Sequence, residues 1–226
     1  MKIYITEKQH RNIFEAMMPG FRLDMLISAK SFVSRFEYCK KMLGNPIGNG
    51  SSRVVFQIDD ETCLKLAKNA KGVAQNMEEI RVLSNSYLSY VPKIYNGSDE
   101  EHGLWIITQY VIPAKKEDFE RILGIPFLVI QKFAESTDKR FNYRLGQGVM
   151  THANKVIENL YSKYENNDLV IELFDDIHCL KADYEQFVGD LANIKNWGMV
   201  MENGSTFLVM LDTGLGEEIF NQYYKR

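Results

Sequence analysis

The chain has 226 residues, 45% hydrophobic and 25% charged, the composition of an ordinary globular protein long enough to bury a sizeable core. A formal net charge of −3 gives no global basic field, so a nucleic-acid partner is not indicated. No apolar run reaches the roughly 20 residues of a membrane helix, and the Met1–Thr6 start turns polar too soon for a secretory signal. Three scattered cysteines (Cys39, Cys63, Cys179) without a CxxC pair argue against zinc and against a disulfide framework, so a reducing, cytoplasmic setting is expected.

Lys2 to Ile5 can form a short strand, and Thr6-Glu7-Lys8-Gln9 reads as a capping box opening a helix that Pro19-Gly20 stops. The periodicity predicts one helix over Leu23 to Met42, with Leu26, Phe32, Phe36 and Met42 facing inward. At Gly44 the texture changes. Gly44, Gly48 and Gly50 crowd together, and Arg53 to Ile58 is a strand by β-branched and aromatic content. A polar turn at Asp59-Asp60-Glu61 leads to a returning strand, Thr62 to Leu66. A helix over Val73 to Tyr87 follows, then a short strand near Lys93 to Tyr95, a turn at Asn96 to Asp99, and a buried strand, Leu104 to Val111, ended by Pro113. From Lys116 to Asp190 the pattern is mainly helical, interrupted near Gly124 to Pro126 and Arg144 to Gly148. The chain closes with strands at Gly198 to Met201 and Thr206 to Leu211 around Asn203-Gly204, the strongest hairpin signal in the sequence.

Three stretches carry the chemistry. Glycines at 48 and 50, followed by Ser51 and Ser52, expose backbone N–H groups of the kind phosphates need. The spacing is not a Walker A, and read alone it is also a surface loop before a strand. Lys65 lies inside the apolar strand Cys63-Leu64-Lys65-Leu66-Ala67. Buried, it needs a partner; on the other face it meets water. Glu79, or else Glu78, on the following helix is the candidate partner. The third stretch is the close of the chain: Asp190 to Asn196, the hairpin, and Leu211-Asp212-Thr213-Gly214. Oxygen-bearing side chains there suit a hard cation such as Mg²⁺.

In this order, Gly48 to Phe56, Leu64-Lys65-Leu66 and the glutamate-bearing helix resemble the small lobe of the protein kinase-like fold. Ile107 to Val111 resembles the strand entering its inter-lobe hinge. The resemblance implies an α+β protein of three parts: an N-terminal helical extension (1–43), a small antiparallel β lobe with one helix (44–113), and a mostly helical lobe ending in the metal-site hairpin (114–226). It implies nucleotide contacts from Gly48, Gly50, Ser51, Ser52, Val55 and Lys65, a gatekeeper at Thr108, and adenine contacts from the backbone of Gln109, Tyr110 and Val111. It assigns catalytic roles to Lys65, Glu79 and Asp190, metal ligation to Asn196 and Asp212, and ATP and Mg²⁺ as cofactors.

There are departures. Gly189 precedes Asp190, the interval from Asp190 to Asn196 is one residue longer than usual, Thr213 replaces a phenylalanine, and twelve residues follow Gly214, which implies no peptide-gripping helices. Asp183 is the substitute for Asp190. Small kinase-like proteins of bacteria and their phages are similar. The implied activity is transfer of the γ-phosphoryl group of ATP to a hydroxyl of an unknown protein or small-molecule acceptor. The alternatives are a pseudokinase acting as an interaction module, and a phage factor in which the glycines only make turns. The four histidines have no metal-like spacing; Asp175-Asp176 with His178 reads as a solvated helix end, and Trp105 and Trp197 as core anchors.

Overall fold

The computed structural model describes residues 20–97, 103–141, 146–202 and 204–225. The expected N-terminal strand and first helix, and Ser98, Asp99 and Asn203 of the two turns, lie outside them. The chain is mixed α and β, with a small antiparallel sheet and many helices. It divides into two compact units: Met1–Asn76 with Tyr95–Tyr110, and Met77–Ile94 with Val111–Arg226.

In the first unit, the single helix expected over Leu23 to Met42 is two: α1 (Leu23–Ser28) and α2 (Phe32–Leu43). The break falls at Ala29 to Ser31, because Ser31 caps α2. Its side chain accepts the Ser34 N–H, and the Ser34 hydroxyl accepts the Ser31 N–H. Five antiparallel strands follow in the order β1-β2-β3-β5-β4: β1 (Gly48–Asn49), β2 (Arg53–Gln57), β3 (Thr62–Ala67), β4 (Ile94–Gly97) and β5 (Trp105–Gln109). Alternation puts Val54, Phe56, Leu64, Leu66, Trp105 and Ile107 on one face, where they form a core with Phe21, Leu26 and Cys39. Phe36 meets Phe56 with ring centroids 5.8 Å apart.

Helix α3 (Ala70–Leu83) begins and ends earlier than the expected span of Val73 to Tyr87. Its start is set by Asn69, whose side chain accepts the Gly72 N–H. Past its end, Asn85 Oδ1 accepts the Tyr87 N–H in a local turn.

The second unit contains β6 (Ile112–Pro113), α4 (Lys116–Leu123), α5 (Phe127–Phe141), α6 (Gln147–Lys163), α7 (Asp168–Ala182), the short α8 (Val188–Leu191), a 3₁₀ turn (Ile194–Asn196), β7 (Trp197–Glu202), β8 (Ser205–Met210) and α9 (Glu217–Tyr223). The expected closing hairpin is present as β7 and β8. The strand expected over Leu104 to Val111 stops at Gln109, and Pro113 instead ends the separate edge strand β6, where it pairs with Gly198 and its missing N–H costs no ladder bond. Gly124 closes α4 with φ of 72°.

The core gathers Phe119, Phe133, Phe174, Ile177 and Trp197. Phe133 and Phe174 stack at 4.1 Å, and Trp197 meets Phe119 edge-on at 5.8 Å. Trp105 and Trp197 are thus core residues of their separate units, as expected.

Two buried charges fasten the second unit. Asp176 is not the solvated helix-end residue expected. It is buried, and one carboxylate oxygen accepts the N–H groups of Ser89 and Tyr90, each at 2.7 Å. Burial raises its pKa from the usual carboxylate value, against those two N–H bonds. Lys181, also buried, pairs with Asp138 at 3.1 Å and with Glu217, so it ties α7 to α5 and α9. Burial pushes its ammonium down, but the bonds to Glu217 and Asp138 outweigh that and hold its pKa above the ordinary lysine value.

Replacing Asp176 with Ala leaves the buried Tyr90 N–H and the part-buried Ser89 N–H without their acceptor. We expect a loss of about 3 kcal/mol, read as a lower urea midpoint at unchanged denaturant slope. For Lys181 the folded pKa is raised, so its stabilisation is complete below the unfolded value and lost as pH rises through the folded one. The stability gap between the native protein and Lys181→Met should therefore stay level from neutral pH to about 9 and shrink above about 10.4. A gap that widens with pH would refute the ion-pair account.

Candidate functional site

In the first unit the sheet face opposite the core gathers several of the candidate residues. The register pairs Gly48 with Val55, Val55 with Lys65, and Lys65 with Ile106, so these four residues form one row across four strands. Directly opposed residues share a face, so Gly48, Val55 and Lys65 lie on the same side. Cys63, opposite Thr108, is two residues along β3 and joins that side. Gly48 at the turn, the strand lysine and Thr108, the expected gatekeeper, therefore share one face. Lys65 does not meet water: it is 6% exposed. Cys63 Sγ lies 3.4 Å from Thr108 Oγ1.

Helix α3 and the turn before it hold the glycine turn. Ser52 Oγ donates to buried Gln75 at 2.5 Å, which commits its hydroxyl. Asn76, fully buried, accepts from Arg53 at 3.3 Å and donates to the Gly103 carbonyl at 2.8 Å, pinning β2 and the approach to β5. Gly72 permits this packing, since a Cβ there would stand 2.1 Å from the Ser52 oxygen. In the expected hinge, the Tyr110 N–H donates to the Glu61 carbonyl at 2.6 Å, which takes that group out of the donors for a base edge.

The second unit brings Asp190, Asn196 and Asp212 together through backbone bonds. Asp190 sits in α8, and Asn196 Nδ2 donates to its carbonyl at 3.4 Å. The Asn196 carbonyl accepts the Leu211 N–H at 2.7 Å, so the residue before Asp212 is fixed beside Asn196. The Gly214 N–H donates to Asp212 Oδ1 at 3.0 Å and shapes the turn. All three side chains are half-buried. Trp197 anchors the set by donating to the Leu191 carbonyl at 3.0 Å.

The hairpin has a second face away from the helical core, where Val111, Val200, Val209 and Leu211 cluster. Gly198 keeps that face tight to β6, since a Cβ there would meet Val111 Cγ1 at 2.3 Å and the Ile112 carbonyl oxygen at 2.7 Å.

The donor set fits Mg²⁺ carried on phosphates. With its nitrogen tied to the Asp190 carbonyl, Asn196 has its amide oxygen as the end for a hard cation, and Asp212 adds a carboxylate. Among the described residues no group of three or more His, Cys, Asp or Glu forms a self-contained metal site. Beside Asp212, the fully buried Thr213 hydroxyl has no hydrogen-bond partner among the described residues.

Of the two glutamates considered beside Lys65, Glu78 is engaged within its own unit. It binds Arg81 through two bonds, at 3.0 and 2.7 Å, and accepts from Gln186 at 3.2 Å. Arg81 also lies 4.6 Å over the Tyr184 ring. Glu79 is fully buried. Segment 185–187 meets the chain beyond Asp212: Gln186 bridges Gly216, the Phe187 N–H donates to the Leu215 carbonyl at 3.0 Å, and Phe187 stacks on Phe220 at 4.2 Å. Glu185 is the one non-glycine described residue with positive φ, 50°, and its carbonyl accepts the Glu217 N–H. Asp183 caps α7, and its carboxylate accepts from Cys179 at 3.3 Å.

The sequence reading passed over Gly72, Asn69 and Asn76, which shape the turn without belonging to it. Asn69 had a legible signal, an N-cap residue directly before a helix; Asn76 and Gly72 had none, since only packing gives them their roles.

No family model matches the chain, and no curated protein matches it. Among solved structures, it is similar to the ternary complex of streptomycin, ATP and APH(2")-IIa, with 16% identity over 79% of this chain and 69% of that chain and a TM-score of 0.35.

Gly72→Ala should push α3 off the Ser52 carbonyl. We expect a loss of about 2 kcal/mol, in the range of overpacking changes, and faster amide exchange at 50–53 than elsewhere in the first unit.

Proposed function

We propose that the chain is an ATP- and Mg²⁺-dependent phosphotransferase of the protein kinase-like type. The observation that carries this reading is the row formed by Gly48, Val55 and a buried Lys65 on the sheet face turned away from the core. An ammonium on that face, beside the glycine turn, suits a triphosphate. The antiparallel order β1-β2-β3-β5-β4, with α3 between β3 and β4, supports the same reading.

In this proposal the glycine turn and the strand lysine meet the phosphates. Backbone N–H groups of Ser51 and Ser52 approach the phosphates, Lys65 binds the α- and β-phosphates, and Gln109 and Val111 offer backbone groups to the base. Asn196 and Asp212 would hold Mg²⁺. Bound there, Mg²⁺ would neutralise charge on the β- and γ-phosphates. Asp190 orients the acceptor hydroxyl and takes its proton as the oxygen bonds to the γ-phosphorus and the bond to the β-phosphate oxygen breaks, releasing ADP. The protein's share of the barrier is placement and fixed charge. The acceptor is a hydroxyl of a protein or small molecule.

A second reading, a pseudokinase, is favoured by one feature. Phe187, three residues before Asp190, is stacked on Phe220, so helix α9 packs on the residue that precedes the short helix carrying the proposed base.

The native protein should be stabilised by ATP with Mg²⁺ in a melting titration, since a ligand of the native state alone raises its midpoint. It should also convert ATP to ADP. Lys65→Ala and Asp212→Ala should each lower that turnover about a hundredfold or more, with the double variant little worse than either. Undiminished turnover in Asp212→Ala rejects the assignment; a melting shift without turnover selects the pseudokinase.

A further inference from the structure

We propose that Lys68 is a positioning residue for phosphate binding: it holds the glycine turn and adds positive charge to it. The inference rests on the nucleotide reading above and extends it to a residue outside the motif.

Three consecutive carbonyls of the turn are held from the segment joining β3 to α3. Lys68 Nζ donates to the Gly50 oxygen at 2.7 Å, Asn69 Nδ2 to the Ser51 oxygen at 3.2 Å, and the Lys68 N–H to the Ser52 oxygen at 2.8 Å. The Lys68 ammonium also donates to Asn49 Oδ1 at 2.5 Å. In a trans peptide the C=O and the following N–H point in opposite directions. Holding these three carbonyls therefore turns the N–H groups of Ser51, Ser52 and Arg53 to the other side of the turn. Successive N–H groups presented by a turn suit an anion.

A run with glycines at 48 and 50 has much backbone freedom to lose on binding. Bonds from a charged donor are stronger than neutral ones, so Lys68 restricts that freedom before a ligand arrives, which lowers the ordering cost. Charge acts in the same direction. Among the described residues, the two acceptors of the ammonium, Asn49 and Gly50, are neutral and belong to the turn itself. Lys68 thus places an uncancelled positive charge against the backbone that would approach the phosphates.

The test compares the native protein with Lys68→Met, Lys68→Arg and Asn49→Ala, using ATP with Mg²⁺ as the probe. Affinity is measured by calorimetry, and amide exchange is followed in the unliganded chain. Lys68→Met should weaken ATP binding about tenfold, roughly one charge-assisted bond, and speed exchange at 49–53 alone. Lys68→Arg should recover most of the affinity, and Asn49→Ala, which removes one acceptor, should lose about threefold. Faster exchange with unaltered ATP affinity would make Lys68 a structural contact only and overturn the proposal. So would equal loss in Lys68→Arg and Lys68→Met. If the native protein binds no ATP, the nucleotide reading falls and this inference with it; if it binds and Lys68→Met binds equally, only this inference falls.

Discussion

A β-strand can carry a buried lysine only if its other face buries enough hydrocarbon to hold the strand in place. In the first unit that condition is met by alternation alone. Val54, Phe56, Leu64, Leu66 and Ile107 fill the core side, which leaves the residues between them to face the other way. Gly48, Val55, Lys65 and Thr108 are set on one side by register, and a slip of one residue would send Lys65 into the core. The candidate chemistry of this unit is thus a by-product of how its core is built.

The second unit uses the same device on a smaller scale. One face of the β7–β8 hairpin gives Trp197, Leu208 and Met210 to the helical core, and the other carries Val200 and Val209. Because the hairpin is anchored, its ends are too. Asn196 and Leu211 are bonded at the open end of the ladder, and Asp190 is tied to Asn196 by the same short segment. Asn196 is thus tied both to Asp190 and to the residue before Asp212, which keeps the three oxygen-bearing residues near one another. The ion pairs of Lys181 with Asp138 and Glu217 fasten the segment that follows Asp212.

Strand periodicity and turn chemistry were legible. The strands at Arg53, Thr62 and Trp105 and the closing hairpin fall where β-branched content and the Asn-Gly turn put them. Errors came where a local polar side chain outweighed periodicity. Ser31 split one expected helix by capping, and Asn69 began another early. Asp176 was read as solvated because no spacing shows that Ser89 and Tyr90 will present two N–H groups to it.

The order of residues by itself fixed the two-faced character of the strands, the hairpin, the identity of the charged and glycine-rich positions, and the absence of a basic field. These depend on neighbours a few positions away. Tertiary structure alone decided that Lys65 is buried, that Glu78 is committed to Arg81 and Gln186, that the Tyr110 N–H is already used, and that Lys68 and Asn69 grip the turn. Each of those outcomes joins groups far apart along the chain or depends on burial, and distance in space between such groups is set by packing, which no local pattern encodes.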